Sequence, residues 1–441
     1  MNNILSSWKA ILVLAVPAIV ENFLQSMVGF VDTLFLSQLG LHEVAAVGIA
    51  NTMLQIYFAV FLAMAACSTI LVSRSCGEGN REQVMRICSN AILLTGLIGC
   101  LFGVVSFCFA EQILQLMGAG PEVMDSGTTY FRIVATPSLF IAMMYTLGAL
   151  FRGTGDTRTP MKVGLLMNVV HILLDYVLMF GLFFHGFGIV GAAVATVCAR
   201  VIGVLLLLWY LHKRSLVAWK AKVWKVNRDI LRSLIRLGFP AALERLFMRF
   251  GQVIYFGMII RMGVEIYSAH TLAGNFTLFS TIIGGGIATA TSALIGQQLG
   301  ARDMQSVKLY SKASVSLQML IMTFILFLLF ASAPLTARLF TDNHAVILLI
   351  VTVLGIDTLT QPATAVVTSL TSVLQAGGDT KYPMYVTAAG IWLIRTAGVY
   401  LLGVYFGLGL MGVWIAIGLD NYVRAILLWR RYRTFQWIRS V

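Results

Sequence analysis

Long apolar stretches, separated by short polar breaks, follow one another along almost the whole chain. A transmembrane helix needs about 20 consecutive apolar residues to cross the hydrocarbon core of a bilayer, and twelve stretches of this kind lie between Lys9 and Arg430. The composition agrees, because 59% of the 441 residues are hydrophobic and 11% are charged, whereas soluble domains have roughly 25% charged residues. The pattern predicts an all-α integral membrane protein with twelve transmembrane helices.

The basic residues are divided unequally between the polar breaks. When alternate loops are assigned to opposite sides of the membrane, 23 of the 31 lysines and arginines fall on one side and three on the other. Loops rich in Lys and Arg face the cytoplasm, so we expect a multi-pass protein of the cell (inner) membrane with both termini in the cytoplasm. This distribution also explains the net charge of +13 without a nucleic-acid partner.

Two similar segments reveal an internal repeat. LFRGTGDTRTPM begins at residue 150 and VLQAGGDTKYPM at residue 373, an offset of 373 − 150 = 223. The same offset, without a gap, aligns Pro17 with Pro240 and Glu21 with Glu244. Six spans per repeat predict two six-helix bundles related by a pseudo-two-fold axis along the membrane normal, with a binding site between them. The predicted division is a bundle at 1–212, a cytoplasmic basic linker at 213–236, and a bundle at 237–441.

Each copy of the repeated motif is predicted to form a turn between two spans. Gly153 and Gly155 suit the left-handed conformation that ends a helix, and Thr159 suits the N-cap of the next one. The linker mixes aromatic and basic side chains, which is typical of a helix at the headgroup level and equally of a plain loop. Its residues of this kind are Trp219, Lys220, Lys222, Trp224 and Lys225.

Several spans contain polar or ionisable side chains, which are costly inside a bilayer and usually mark an ion or substrate path. Those of the first and fifth spans share one helical face within each span. They are Glu21, Gln25 and Asp32 in the first span, and Asn168, His171 and Asp175 in the fifth. Two polar stripes in one bundle favour a cavity over simple helix packing.

Four motifs resemble those of the multidrug and toxic compound extrusion (MATE) family of secondary transporters, including its DinF-like branch. They are VDTLFLSQLG in the first span, LFRGTGDTRTPM followed by NVVHILLDYVLMFG, LIGQQLG after the eighth span, and LQAGGDTKYPM in the second half. The resemblance covers nearly the whole chain. It implies two bundles of six helices and export of cationic, amphipathic compounds against an inward flow of H⁺ or Na⁺.

The resemblance also indicates cation-coupling residues. The aspartates that match Asp32 and Asp175 are implicated in cation coupling in the archaeal and DinF-like branches, and Asp32 is the first candidate. His171 stands where the family has an asparagine, which argues against an all-oxygen Na⁺ site and favours H⁺. The predicted cation-coupling set is Asp32, Asp175, Glu21, Asn168, His171 and Thr196, with no metal other than Na⁺.

The second half has acids of its own. Glu244 in the seventh span and Asp357 in the tenth resemble the acidic pair of NorM-like members and form a predicted secondary acidic site. Three arginines of the same half are candidates to neutralise these carboxylates: Arg245, Arg249 and Arg395. Asp420 and Arg424 are spaced i and i+4, which predicts a self-contained ion pair.

Polarizable and aromatic side chains suit bulky organic cations, because they tolerate different shapes and attract positive charge. The predicted substrate path comprises Gln25, Met27, Tyr57, Met64, Met144, Tyr145, Phe247 and Tyr255. Pro17 removes a backbone hydrogen bond shortly before Glu21 and predicts a helix bend in the first span, with a static kink as the alternative to a moving one.

These features predict a secondary active antiporter that exports amphipathic organic cations in exchange for H⁺ or Na⁺, by alternating access between two bundles. The chain contains no GxxxxGK[ST] phosphate loop and no DDxxD or HExxH motif, so we expect neither an enzyme nor a bound cofactor. The alternative function is a flippase for lipid-linked oligosaccharide or related lipid precursors, which needs a strongly cationic cavity. The expected state is a monomer whose partners are organic cations and membrane lipid.

Overall fold

The computed structural model describes residues 2–181, 186–217 and 224–438 and is almost entirely helical. Within these residues the first half folds into α1 (Asn2–Leu39), α2 (Leu41–Gly77), α3 (Arg81–Leu116), α4 (Pro121–Ala135), α5 (Ser138–Gly153), α6 (Arg158–Phe180) and α7 (Gly188–Lys213). The second half folds into α8 (Arg228–Arg261), α9 (Val264–Gly300), α10 (Met304–Thr336), α11 (His344–Ala376), α12 (Lys381–Ala389) and α13 (Gly409–Arg433). A 3₁₀ turn at Ala337–Leu339 extends α10, and π-helical segments at Gly390–Thr396 and Val399–Tyr405 continue α12.

Ten of the described helical elements are long and apolar enough to cross a membrane. The pair α4 and α5 forms an eleventh candidate span, bent by 48° at the break before α5. α8 has the length of a span, 34 residues, but charged side chains interrupt its apolar surface. Because α8 is the repeat equivalent of α1, these elements account for the twelve predicted spans and confirm the all-α membrane fold class.

The internal repeat is reproduced in the helix bounds. Adding 223 to residues 41 and 77, the limits of α2, gives 264 and 300, the limits of α9. The same addition converts residues 121 and 153, the limits of the α4–α5 pair, into 344 and 376, the limits of α11. The repeat that the sequence predicts is therefore a repeat of structure.

The caps at the start of α3 and α10 are equivalent as well. The side chain of Asn80 accepts a hydrogen bond from the Gln83 backbone N–H, and that of Asp303 accepts one from the Ser306 backbone N–H, each at 3.0 Å. The Ser306 hydroxyl also donates to Asp303 at 2.6 Å. These hydrogen bonds to the charged form hold the pKa of the Asp303 carboxyl below its usual value. Both halves thus begin their third span with a side-chain cap that satisfies backbone donors.

The repeated motif forms the predicted turns, with two corrections. Gly155 and Gly378 have φ angles of +87° and +92°, which confirms the left-handed conformation at these positions. Gly153 is instead the last residue of α5 and is helical. Thr159 lies inside α6 rather than at its N-cap, and Asp156 accepts hydrogen bonds from its backbone N–H at 3.0 Å and its hydroxyl at 2.7 Å. A carboxylate accepts both donors at once, so Asp156 is the residue that caps the turn.

The chain folds into two compact units, Val20–Gly238 and Phe239–Val441 with Met1–Ile19. The core of the first unit is built around Tyr57 and Phe131. In the second unit, Ile11 of α1 packs with Ile287 of α9 in one of several apolar clusters. These units differ from the predicted domain division at α1, because the first 19 residues group with the second half. The division at 1–212, 213–236 and 237–441 stays a prediction.

The described residues of the predicted basic linker contact neighbouring helices. Its two ends lie in α7 and α8. Three of its aromatic and basic positions lie outside the described residues: Trp219, Lys220 and Lys222. The segment before α8 is attached to α3, because Asn90 Nδ2 donates to the Lys225 carbonyl oxygen at 3.4 Å and Asn90 Oδ1 accepts from the Asn227 backbone N–H at 2.9 Å.

The two repeat prolines lie where the chain passes from one unit to the other. Pro17 is inside α1, two residues before the boundary at Ile19, and Pro240 is inside α8, close to the boundary at Gly238. Proline weakens the hydrogen bonding of a helix one turn earlier. The bend at Pro17 stays a prediction.

Gly155→Ala is expected to destabilise the protein, because a left-handed conformation costs a residue with a Cβ roughly 1–2 kcal/mol. Gly29→Ala is the matched control, since Gly29 lies in α1 and an added Cβ would meet nothing within 4 Å. The thermal unfolding midpoint of the detergent-purified protein should fall for Gly155→Ala and be unchanged or higher for Gly29→Ala. Equal midpoints for the two variants would contradict the role given to this turn.

Candidate functional site

Three ionisable side chains of the first half converge in the structure. Asp32 comes from α1, His171 and Asp175 come from α6, and ligand atoms of all three lie within 4.8 Å of one another. The imidazole is central, because His171 Nδ1 lies 3.9 Å from Asp32 Oδ1 and His171 Nε2 lies 3.4 Å from Asp175 Oδ2. We call these three residues the Asp–His–Asp cluster.

Helix geometry explains why α6 supplies two members of the cluster. Residues i and i+4 are neighbours on a helix surface, so His171 and Asp175 point the same way, and Asn168 lies one turn earlier on that face. These three side chains are buried. Asp32 differs, since 30% of its side chain is exposed. Asp32 is therefore the member of the cluster that solvent reaches most readily.

Thr196 of α7 orients the imidazole. Its hydroxyl lies 3.1 Å from His171 Nε2 and donates to the Ala192 carbonyl oxygen at 2.9 Å. Because a hydroxyl has a single proton, Thr196 accepts its hydrogen bond from the Nε2–H of His171. A neutral imidazole in this tautomer presents its unprotonated Nδ1 to Asp32, so a proton carried by Asp32 would face a nitrogen acceptor.

Buried polar atoms around the cluster have no hydrogen-bond partner within the described part of the chain. They are Asp32 Oδ1, Asp175 Oδ1 and Asn168 Nδ2. An unsatisfied buried polar atom costs free energy, and its presence in a native site calls for an ion, a proton or a water. Two carboxylates this close also repel unless a positive charge is shared between them. The cluster is chemically suited to bind a cation.

Glu21, predicted as a cation-coupling residue, has a different partner. Both of its carboxylate oxygens accept from Arg152 Nη1 of α5 at 3.1 Å, and the side chains of Glu21 and Arg152 are 17% and 13% exposed. An arginine already supplies the positive charge that a coupling ion would bring. Glu21 forms a mostly buried ion pair with Arg152, and its role in cation coupling stays a prediction.

The equivalent pair in the second half lacks the arginine. The repeat aligns Glu21 with Glu244 and Arg152 with Gln375, because 375 − 152 = 223. Gln375 Nε2 donates to Glu244 Oε2 at 2.8 Å, and Thr387 Oγ1 donates to Oε1 at 3.2 Å. Sequence analysis missed both partners, although the offset that pairs the two glutamates also pairs Arg152 with Gln375. The direct hydrogen bonds of Glu244 come from neutral groups.

Asp357 makes local hydrogen bonds on α11. Thr360 Oγ1 donates to its Oδ1 at 3.2 Å, and Gln361 Nε2 donates to its Oδ2 at 3.4 Å. Between the described residues no hydrogen bond joins Asp357 to Glu244, and neither forms an ion pair with an arginine. The predicted neutralisation by arginines is therefore not found as direct pairing, and the secondary acidic site stays a prediction.

The pair of Asp420 and Arg424 is not self-contained, which corrects the prediction. Arg395 Nη2 lies 2.7 Å from Asp420 Oδ2, closer than Arg424 Nη1 at 3.7 Å. Arg395 belongs to the π-helical segment after α12 and also donates to Asn421 Oδ1 at 3.1 Å. Spacing along α13 could not reveal this partner, because Arg395 comes from another helix.

The residues of the predicted substrate path differ in how far they are buried. Tyr57 and Tyr255 are 2% and 5% exposed and belong to hydrophobic cores, and the Tyr57 hydroxyl is bonded to Ser106 at 2.8 Å. An aromatic ring fills a core as well as it binds a cation, and the place of both residues on a substrate path stays a prediction. Met64 is buried too. The others are partly or fully exposed, and their role stays a prediction: Gln25, Met27, Met144, Tyr145 and Phe247.

Membrane-spanning helices in two repeated units, with ionisable side chains clustered inside the spans, define a membrane transporter. The family model described as MatE matches residues 17–177 and 240–401, which is most of the chain and follows the same repeat. The chain belongs to this family, the multidrug and toxic compound extrusion transporters. It is therefore a multi-pass transporter of small organic compounds and not an enzyme, and such transporters need no cofactor.

Similar proteins align over nearly their whole length. An uncharacterized transporter of Bacillus subtilis, YisQ, is 29% identical over 430 residues, which are 96% of this chain and 94% of that protein. A probable multidrug resistance protein of Thermotoga maritima, NorM, is 29% identical over 423 residues, which are 95% of this chain and 90% of that protein. The similarity extends across both repeats.

Solved structures share the fold. A crystal structure of MATE in the straight conformation has a TM-score of 0.88 at 24% identity, covering 98% of this chain and 97% of that one. A mutant of the Vibrio cholerae MATE transporter VcmN has a TM-score of 0.91 at 20% identity, covering 99% and 100%. A MOP superfamily transporter of Pyrococcus furiosus, with a TM-score of 0.88 at 24% identity and 98% coverage of each chain, is described by a binding pocket of reverse polarity and a different function. Because a shared fold does not determine the polarity of a binding pocket, the substrate class must be argued from the residues of this chain.

Arg152→Gln is expected to lower stability by about 3 kcal/mol, because it leaves the buried Glu21 charge without its partner. The double variant with Glu21→Gln should recover much of this loss. Arg86→Gln is the matched control, since Arg86 and Glu82 form a pair at 2.7 Å with side chains 47% and 69% exposed, and exposed pairs contribute only about 0–1 kcal/mol. Unfolding of the purified protein measures all of these effects. If Arg152→Gln behaves like Arg86→Gln, the Glu21 pair does not stabilise the fold.

Proposed function

We propose that this transporter is a secondary active antiporter that exports amphipathic organic cations in exchange for H⁺. The observation that carries the proposal is the Asp–His–Asp cluster, in which two carboxylates within membrane-spanning helices flank one imidazole and retain oxygens without partners in the described residues. Ionisable groups at this depth usually serve an ion path or a proton relay. Uptake and release of one positive charge would alternately neutralise and charge the cluster during alternating access.

The chemistry of the cluster favours H⁺ over Na⁺. Hard cations are held by several oxygen ligands, whereas the central group here is an imidazole whose Nε2 lies 3.1 Å from the hydroxyl of Thr196. A proton requires one oxygen and a nearby acceptor, and Asp32 facing His171 Nδ1 supplies both. Thr196 contacts the imidazole and orients it, and Asn168 lies one turn before His171 on the same face of α6.

The acidic side chains within the spans favour a positively charged cargo. Asp32, Asp175 and Asp357 lie in helices long and apolar enough to cross a membrane, and Glu244 lies in α8. None of the four forms an ion pair with an arginine in the described ranges. Relatives of Thermotoga maritima and Photobacterium profundum that are named as multidrug resistance proteins support an efflux role. A flippase for lipid-linked oligosaccharides would instead need basic groups to hold pyrophosphate, and the Asp–His–Asp cluster offers carboxylates.

The membrane arrangement is part of the same proposal. The excess of Lys and Arg on one side supports cytoplasmic termini in an inner membrane. Two repeated units within one chain support a transporter that works as a monomer. In this proposal the protein is surrounded by membrane lipid and binds organic cations as its small-molecule partners.

Asp32→Asn is expected to abolish transport driven by a proton gradient, because an amide can neither carry the proton nor provide the negative charge. Asp125→Asn is the matched control, since it makes the same chemical change at an exposed aspartate of the same unit. Proteoliposomes loaded with a fluorescent organic cation would receive H⁺ and Na⁺ gradients separately. Asp125→Asn should transport as well as the unmodified protein. Full transport by Asp32→Asn under both gradients would show that coupling does not depend on the cluster.

A further inference from the structure

α7 carries a largely buried arginine that sequence analysis did not assign to any site. Arg200 follows Thr196 by four residues and precedes Gly203 by three, so these residues share one helix face. Thr196 contacts His171 of α6 at 3.1 Å. A Cβ at Gly203 would lie 2.8 Å from Met144 Sδ of α5. The face that carries Arg200 is therefore packed against α5 and α6 beside the Asp–His–Asp cluster.

The positive charge of Arg200 acts electrostatically on the Asp–His–Asp cluster, although its guanidinium forms no ion pair with the described residues of the cluster. Its charge acts on Asp32 of α1 and His171 of α6, and its other titratable neighbours are Tyr130 of α4 and Tyr145 of α5. It forms no ion pair with a carboxylate of the described chain, and its buried Nη1 has no hydrogen-bond partner there. Because an arginine stays protonated in proteins, Arg200 is a permanent positive charge that acts on Asp32 and on the imidazole of His171.

A permanent charge at this place weakens a metal-ion site in particular. A Na⁺ ion that leaves water must regain oxygen ligands and net negative charge from the protein. Arg200 offsets one of the two carboxylate charges, and His171 places a nitrogen at the centre of the cluster. A like charge close to a bound cation repels it and lowers its affinity, by an amount on the order of tens of fold at an effective dielectric constant of about 20.

We infer that Arg200 excludes Na⁺ from the Asp–His–Asp cluster and so determines which ion this transporter can use. The inference rests on the proposed function, since it concerns the ion that the cluster exchanges. A proton differs from Na⁺ in forming a covalent bond to one oxygen, with no coordination shell to complete. The cluster therefore binds a proton under conditions in which it does not bind Na⁺. Arg200 is a specificity-determining residue and not a ligand.

The test measures Na⁺ binding by the purified full-length protein. Arg200→Gln removes the charge, and Arg200→Lys keeps it as the matched control. Na⁺, compared with K⁺ at equal ionic strength, should raise the thermal unfolding midpoint of Arg200→Gln, because a ligand of the native state stabilises it. The unmodified protein and Arg200→Lys should show no such difference. Retention of radiolabelled Na⁺ should rise on the order of tenfold in Arg200→Gln.

Two further variants locate the effect. Arg200→Gln combined with Asp32→Asn should lose the Na⁺ response, which would place the ion at the cluster. Arg395→Gln is the control that removes a buried arginine from the other unit. It should gain no Na⁺ response, which would show that the effect is specific to the charge of Arg200. In proteoliposomes, Arg200→Gln should export the fluorescent cation under a Na⁺ gradient, whereas the unmodified protein should respond to the proton gradient alone.

The outcomes separate this inference from the proposed function. A folded Arg200→Gln protein without a Na⁺ response in either binding measurement overturns the inference and leaves proton-coupled antiport intact. Efficient Na⁺-driven export by the unmodified protein also overturns it, and this result does not depend on whether Arg200→Gln folds. Arg200→Met provides a second uncharged variant of similar length. Unchanged transport by Asp32→Asn under both gradients would instead overturn the proposed function.

Discussion

A carboxylate inside a membrane-spanning helix must be compensated, because the hydrocarbon core offers no water to solvate its charge. The structure meets this constraint in different ways at different acids. Glu21 is neutralised by Arg152, and Glu244 receives hydrogen bonds from neutral groups. Asp32 and Asp175 share one imidazole and keep oxygens without partners in the described chain. The last arrangement is incomplete without a mobile positive charge, and that incompleteness is what makes it suitable for coupling.

The two halves of the repeat share a backbone arrangement but differ in their ionisable residues. The helix bounds of the halves coincide after a shift of 223 residues, and so do the contacts of the two glutamates. The cluster has no such counterpart, because the positions equivalent to its three members, in the order Asp32, His171 and Asp175, are occupied by Tyr255, Ile394 and Gly398. Tyr255 belongs to the core of its unit. Shared packing residues preserve the fold in both halves, while the ionisable residues of the cluster are restricted to the first.

Sequence reasoning predicted what depends on local spacing. Apolar runs of sufficient length predicted the spans, the offset of 223 predicted equal helix bounds, and the i, i+4 spacing placed His171 and Asp175 on one face. The contacts between different helices could not be predicted from the sequence. The partner of Glu21 is 131 positions away in α5, and the nearest arginine to Asp420 comes from a π-helical segment. Composition alone cannot distinguish an aromatic side chain in a core, such as Tyr57, from one on a substrate path.

The distance between an arginine and a carboxylate decides what the carboxylate can do. Arg152 lies 3.1 Å from Glu21 and forms an ion pair that neutralises its carboxylate. Arg200 forms no ion pair with Asp32 in the described residues, so its charge changes the electrostatic environment of the cluster while the carboxylate oxygens stay available. The repeat equivalent of Arg200 is Val423, in a half that lacks the cluster. A fixed charge paired with a carboxylate neutralises it, whereas under our inference an unpaired one nearby changes which ions the carboxylate can bind.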